Sequence, residues 1–397
     1  MLIGIIGRTN VGKSTFFKAM TLAEVQIENR PFVTIKSNHG YGYVRIKCPE
    51  SEFNIKCNPK EGFCTDGNRF IPVELIDVPG IIENAHLGKG LGLEFLSDLN
   101  EADFLIHVLD ISGSTNEKGE PVMPLTYDPA KDIKLLENEL AHWYFNILKK
   151  GWDRFVKTIG KDNQNIKAAV SKQMSGLKVT EEIAEESIKK LKLTHHPSAW
   201  SNKDLFDLAS ELRKKTKPMI IAANKIDIQG AELNYHKLKE KYPELIIIPC
   251  SAESELALKE AAKQKLIKYI PGNSEFEIVS KNLNEKQKKA LDFIKTKVLE
   301  KYKTTGVQGI LDRAVFDFLD YIAVFPVATN QLTDKNGKYI PDCYLVRKDT
   351  TALDFAYKVH TDLGKNFIKA TDLRNKRIVG KNHILKHLDI IEIVAGK

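Results

Sequence analysis

A short apolar run, Leu2–Ile6, gives way at once to Gly7-Arg8-Thr9-Asn10-Val11-Gly12-Lys13-Ser14, and an amphipathic stretch follows from Lys13 to about Leu22. The octet fits G-x-x-x-x-G-K-S. Each part has its own physical reason. Gly7 and Gly12 permit the backbone angles that fold a loop around an anion. The successive N–H groups of Asn10 to Ser14 meet a helix N-terminus, where the backbone dipole favours negative charge. Lys13 supplies a point charge for β- and γ-phosphates, and the Ser14 hydroxyl suits a magnesium ion. A strand before the loop and a helix after it are the context this chemistry requires. The loop therefore predicts an α/β sheet whose first strand delivers a phosphate cradle.

Further short apolar runs repeat the rhythm: Tyr41–Lys47, Ile71–Asp77, Phe104–Asp110, Pro218–Ala223 and Leu245–Cys250. Runs of this length between helical patterns predict a largely parallel sheet. With 397 residues the chain exceeds the roughly 250–300 that one core sustains, so two or three domains are expected. Hydrophobic residues at 42% and charged residues at 28% exclude a disordered or fibrous chain. No apolar run approaches the ~18 residues of a membrane span, and the start carries no basic, then apolar leader. Five cysteines, an odd number, do not make a disulfide scaffold. A cytoplasmic protein is expected. The net charge of +8 permits a polyanionic partner without demanding one.

Between Asp110 and Pro218 the rhythm breaks. Asp128-Pro129 reads as an N-cap with proline at the first helical position, followed by an apolar face from Ile133 through Leu148. A second helical run begins near Thr180. Residues 113–215 read as a helical insertion within a domain built from 1–112 and 216–275. Pro271-Gly272-Asn273-Ser274 marks a break, after which 276–320 form a helical connector with helices over Glu285–Tyr302 and Gly306–Leu319. Residues 321–397 form a small α+β domain, with strands at Ile322–Val327, Tyr344–Arg347 and Ile390–Val394 and one helix from Thr351 to about Leu363.

Ile71–Asp77 ends in Asp77-Val78-Pro79-Gly80. An acid at the carboxyl end of a buried strand beside the phosphate loop can hold Mg²⁺, and Gly80 can offer its N–H to a γ-phosphate. The chain next runs through Gly88-Lys89-Gly90-Leu91-Gly92, loose enough to switch. Thr34, between the first helix and the next strand, is the candidate second hydroxyl ligand for the metal. Pro218–Ala223 ends in Asn224-Lys225-Ile226-Asp227. The Asp227 carboxylate can accept from guanine N1–H and N2–H₂, a donor pair adenine lacks. Asn224 can bridge base and phosphate loop, and the Lys225 stem can cover the ring. The next strand end, Cys250-Ser251-Ala252-Glu253, places the Ala252 N–H to meet guanine O6. The nucleotide-binding set is thus Gly7 to Thr15 with Asn224, Lys225, Asp227, Ser251, Ala252 and Glu253. Ser14, Thr34 and Asp77 are the metal candidates, and Lys13, Thr34, Gly80 and Asn10 the catalytic ones.

In this order the motifs resemble translation-factor-class P-loop GTPases. The run Asp77–His86 with Gly88–Gly92 resembles the Obg family. Asn29–Ile35 and the insertion with Trp143 and Trp152 resemble its YchF branch in an archaeal-type version, and the tail with Pro341–Val346, Thr351–Tyr357 and Val359-His360 resembles a TGS (ubiquitin-like) domain. The resemblance implies a Mg²⁺-dependent switch protein that binds GTP and GDP, hydrolyses GTP slowly, and acts with ribosomes or RNA, with no membrane or DNA partner. Family members that prefer ATP lack the acid of N-K-x-D, and Asp227 points to GTP. An ATP-preferring enzyme and a ribosome-binding scaffold with negligible turnover stay open as alternatives. Ile81 stands where the catalytic glutamine of other GTPases follows D-x-x-G and cannot orient water by hydrogen bonding. Asn10 matches an asparagine that related enzymes use to hold K⁺, and Glu83 and His86 are weaker candidates. Many relatives carry proline at the Thr9 position.

Cys48, Cys57 and Cys64 lack any C-x-x-C pair, which argues against zinc and for unligated or redox-sensitive thiols. His195-His196 reads as a surface pair.

Overall fold

The computed structural model describes residues 1–22, 38–80, 98–152, 156, 166–193, 196–328, 332–334 and 336–396. Thr34, Ile81, Glu83, His86, the Gly88–Gly92 loop and His195 lie outside them. Two compact units emerge: Met1–Phe17, Ser37–His39 and Leu75–Glu253 form the first, and Lys18–Lys36, Gly40–Glu74 and Ser254–Lys397 the second.

In the first unit, β1 (Leu2–Ile6), the end of β4 (Asn68–Asp77), β5 (Phe104–Asp110), β6 (Met219–Asn224) and β7 (Ile247–Pro249) lie in the order β4-β1-β5-β6-β7. β1, β5, β6 and β7 pair in parallel, with Ile5 opposite Ile106 and Val108 opposite Ala222. Every residue of β5 is buried, as a strand covered on both faces must be. α1 (Lys13–Thr21) follows the phosphate loop. The segment read as an insertion folds as α2 (Ala130–Lys149), α3 (Ile166–Gln173), α4 (Glu181–Lys190) and α5 (Asn202–Thr216). Its apolar faces do not form a core of their own. Leu136, Leu140, Trp143 and Leu208 pack into one cluster with Ile6, Ile76 and Leu105 of the sheet. Trp152 and Trp200 stack within it, ring centroids 5.4 Å apart.

Helix starts follow local chemistry with one shift. Thr180 caps α4 by accepting from the Ile183 N–H, and Ser201 with Asp204 forms a reciprocal capping box on α5. At α2 the cap lies one residue further along the chain than the expected Asp128. Pro129 occupies the N-cap, and Asp128 Oδ1 accepts from the Ala130 N–H at 2.9 Å. α6 (Ala231–Lys241) and α7 (Ala252–Lys263) follow β6 and β7.

In the second unit, β2 (His39–Lys47) and the short β3 (Phe63–Thr65) both pair with β4. α8 (Glu285–Ile294) continues through a π turn at Lys295–Leu299, and α9 (Val307–Arg313) through another at Ala314–Phe318. β8 (Ile267–Tyr269) and β9 (Phe276–Ile278) form a two-stranded ribbon that the apolar pattern does not reveal. The C-terminal sheet has the order β11-β10-β14-β12-β13, built from β10 (Tyr321–Val327), β11 (Tyr344–Arg347), β12 (Phe367–Asp372), β13 (Arg377–Val379) and β14 (Ile390–Ala395). Its core gathers Val324, Val346, Phe355 and Ile391. The single helix expected from Thr351 divides into α10 (Ala352–Val359) and α11 (Thr361–Lys365), because His360 adopts an extended conformation between them.

Cys48, Cys57 and Cys64, spread along the sequence, converge here with Glu50. Their sulfurs and a carboxylate oxygen all lie within 4.8 Å of one another.

Candidate nucleotide site

The phosphate loop is shaped by close backbone approach as much as by dihedral freedom. A Cβ on Gly7 would sit 2.6 Å from the Val108 carbonyl oxygen of β5, so side-chain-free packing is what this glycine supplies. Gly12 does require the left-handed region, at φ +92°, and a Cβ there would overlap Asn224 Nδ2. Asn10 takes a positive φ of 64°, tolerable for asparagine. The Phe16 N–H donates to the Gly12 carbonyl at 2.9 Å, closing the first turn of α1 over Lys13, Ser14 and Thr15.

The first and fourth motifs are physically joined. Asn224, 3% exposed, donates from Nδ2 to the Val11 carbonyl at 3.0 Å. Its Oδ1 accepts from the Ala252 N–H at 2.9 Å. One amide thus ties the phosphate loop to the loop after β7. The Ala252 N–H, the group expected to meet guanine O6, is bonded to Asn224 in this structure. Lys225 Nζ donates to the Asn10 carbonyl at 3.0 Å, Thr115 Oγ1 at 3.1 Å and Asp110 Oδ2 at 2.9 Å. Asp227 is half-buried and has no hydrogen-bond or ion-pair partner among the described residues. A carboxylate placed beside this network and left free is available to a base.

Lys13 forms an ion pair with Asp77 at the end of β4. Asp77 and the Ser14 hydroxyl are hard oxygen donors of the kind Mg²⁺ takes; they would hold it together with waters and phosphate oxygens. Gly80 stands beside the phosphate loop, where a Cβ would come 3.3 Å from Thr9 Oγ1.

Several neighbours of the site escaped the motif reading. Asp110, buried at the end of β5, accepts from Ser114 Oγ at 2.8 Å and Thr115 Oγ1 at 2.7 Å, and also from Ser112. Burial alone would raise its pKa, but bonds from Ser112, Thr115 and Lys225 outweigh it and hold the carboxyl below the ordinary range. An acid at a strand end followed by Ser-x-Ser-Thr was the available signal. The same loop reaches over the phosphate loop. Asn10 Nδ2 donates to the Gly119 carbonyl at 2.8 Å, and Thr115 Oγ1 to the Asn10 carbonyl at 3.4 Å. The Arg8 guanidinium is engaged outside the phosphate loop. Its Nε pairs with Asp132 at 2.7 Å and its Nη1 donates to the Glu117 carbonyl, leaving only its backbone to the cradle. Arg8 therefore fastens the loop to α2.

Three family models match the chain in succession. Residues 2–148 match the model described as a 50S ribosome-binding GTPase, residues 222–329 the G4 motif-containing domain of Obg-like GTPases of the YGR210 type, and residues 331–395 the TGS domain. A GTP-binding protein of Methanocaldococcus jannaschii is 46% identical over 397 residues, covering 100% of this chain and 99% of that protein. The chain belongs to the YchF-type, Obg-like GTP-binding proteins. A GTP-binding protein of Schizosaccharomyces pombe is 35% identical over 363 residues, covering 89% of this chain and 88% of its own length. The solved structure of a GTP-binding protein from Pyrococcus horikoshii superposes with a TM-score of 0.76 at 38% identity, covering 100% of both chains. The Obg-like, YchF-type assignment accounts for the P-loop sheet, the helical region packed on it and the C-terminal TGS sheet. No helix among the described residues is long and apolar enough to cross a membrane.

Proposed function

We propose that this YchF-type protein is a Mg²⁺-dependent, cytoplasmic GTPase that switches between GTP and GDP forms and acts on ribosomes or RNA. The observation that carries the base choice is the pairing of a fully engaged Asn224 with an unengaged Asp227. The amide locks the site's geometry, and the carboxylate remains to accept the two N–H donors of guanine. Adenine would leave that carboxylate unpaired, a penalty that discriminates strongly. Lys13 would leave Asp77 for the phosphates on binding, freeing the carboxylate for the metal with Ser14 and Thr34. Gly80 would report the γ-phosphate through its N–H.

Titration with fluorescent GTP and ATP analogues tests this reading: tighter GTP binding is expected, and equal affinities defeat the Asp227 argument. A ribosome-binding scaffold with negligible turnover is favoured by Ile81 in the glutamine position. Phosphate release measured with ribosomes in K⁺ and in Na⁺ separates the two, since stimulated turnover in K⁺ belongs only to a working GTPase. Asn10 already donates its Nδ2 to Gly119, which leaves its amide oxygen as the atom to hold K⁺.

A further inference from the structure

The linear spacing of Cys48, Cys57 and Cys64 offers no pair of neighbouring ligands, yet the fold assembles them. We propose that Cys48, Cys57, Cys64 and Glu50 form a closed, structural metal site for a thiophilic divalent cation, Zn²⁺, which fastens the loop between β2 and β4.

Two of the separations match those of a tetrahedral shell, within a set whose donor atoms all lie within 4.8 Å of one another. Zn–S bonds of about 2.3 Å at the tetrahedral angle separate two sulfurs by about 3.8 Å. Cys48 Sγ and Cys57 Sγ are 3.6 Å apart. A sulfur and an oxygen on one zinc lie about 3.5 Å apart by the same geometry, and Cys64 Sγ is 3.4 Å from Glu50 Oε1. Three soft thiolates with one carboxylate suit zinc and reject the hard cations Mg²⁺ and Ca²⁺.

The surroundings are built to hold these ligands. Cys48 follows β2, Cys64 sits in β3, and the Cys48 N–H donates to the Gly67 carbonyl at 2.8 Å. Glu50 is oriented by the N–H groups of Gly67 at 3.1 Å and Cys57 at 3.2 Å. Arg69, 1% exposed, brings its Nη1 within 3.9 Å of Cys57 Sγ, so a buried cation faces the thiolate charge. Oriented ligands and a charge-balancing neighbour are the outer-shell features of real metal sites. A cavity of about 1300 Å³ bordered by Glu50, Cys57 and Cys64 gives an ion its way in.

The loop needs such a clip. From Glu52 to Gly62 it has no regular secondary structure, and Cys57 is its one buried hydrophobic residue. It nevertheless makes specific bonds to a distant segment of the same unit. The Asn58 N–H donates to the Tyr339 carbonyl at 2.9 Å, the Lys60 N–H to the Pro341 carbonyl at 3.0 Å, and Lys60 pairs with Asp342 at 2.9 Å. A metal crosslink supplies the order that an apolar core would otherwise provide.

The test uses the full-length protein purified without chelator. Elemental analysis should find about one zinc per chain, released stoichiometrically by a mercurial reagent. Exchange for Co²⁺ should produce the thiolate-to-cobalt charge-transfer band and the intense visible bands of tetrahedral coordination. Glu50→Cys should keep the metal, and Glu50→Ala should weaken its retention against a chelator by roughly tenfold or more. Stripping the metal should open the 52–62 loop to protease. A folded wild-type chain that purifies without zinc and gives no thiolate band with Co²⁺ overturns the proposal, as does a Cys48–Cys57 disulfide in protein kept anaerobic.

Discussion

Gly12→Ala is the sharpest probe of the joint between phosphate loop and base loop. The substitution places a methyl group on a residue at φ +92°, where an L side chain costs about 1–2 kcal/mol. The methyl also overlaps Asn224 Nδ2. Asn224 is buried, so it can yield only by giving up its bonds to the Val11 carbonyl and the Ala252 N–H. Those bonds contribute about 0.5–1.5 kcal/mol each. Together the terms amount to about 2–5 kcal/mol, or roughly a 30- to 5000-fold loss of GTP affinity if the strain falls on the bound state. Isothermal titration with GDP and GTP analogues measures it, with thermal unfolding as the measure of strain in the free protein. Gly67→Ala is the control, with the same φ sign at +72° but open space around its Cβ; it should lose stability by about 1 kcal/mol and leave nucleotide affinity unchanged. Gly12→Ala and Asn224→Ala should be strongly non-additive, because the second removes the atom the first collides with. Wild-type affinity in Gly12→Ala, or simple additivity in the double variant, would refute the reasoning.

Asp227→Asn should weaken GTP binding by roughly 10²-fold or more and confer affinity for xanthosine nucleotides, read by competition titration; an unchanged base preference would remove Asp227 from the site. Asp312 accepts from the Arg45 N–H and from Gln308 Nε2, both at 2.8 Å, and burial pushes its carboxyl up to about 7 despite those bonds. An unfolded aspartate ionises near pH ~3.9, so the folded state binds the extra proton between the two values and stability falls as pH rises from about 4 to about 7. Asp312→Asn should therefore stabilise the protein at pH 8 relative to pH 4, by about 1–2 kcal/mol given the partial exposure of the side chain, measured by urea unfolding. Arg69→Met should destabilise by about 1–3 kcal/mol, because it strands the Ile340 carbonyl that Arg69 bonds at 3.4 Å and takes from the Pro341 carbonyl the donor at 2.7 Å, leaving it only the Lys60 N–H. Arg69→Lys should fail to restore it, since a single ammonium cannot reproduce the planar fork.

The central strands and the nucleotide motifs were legible because each rests on local chemistry. Leu2–Ile6 and Phe104–Asp110 appear in the structure with the boundaries their apolar runs imply, and Thr180 caps the helix it was read to start. Contiguous motifs such as Gly7–Ser14 and Asn224–Asp227 carry their function in short-range order. Elements whose residues alternate weakly, such as β8, β9 and β13, gave no such signal. Their pairing depends on partners distant in the chain.

Chemistry at fixed spacing, together with the length of buried runs, was enough to write the phosphate loop, the N-K-x-D motif and a parallel sheet into the linear chain. Tertiary structure alone decided who touches whom across long separations. It turned Arg8 toward Asp132, bonded the Ala252 N–H to Asn224, gathered Ser112, Ser114, Thr115 and Lys225 around Asp110, and drew three scattered cysteines around one glutamate. The physical reason is the short reach of these interactions. Hydrogen bonds, ion pairs and ligand bonds act over a few ångströms, and only the folded path of the backbone sets which distant residues come that close.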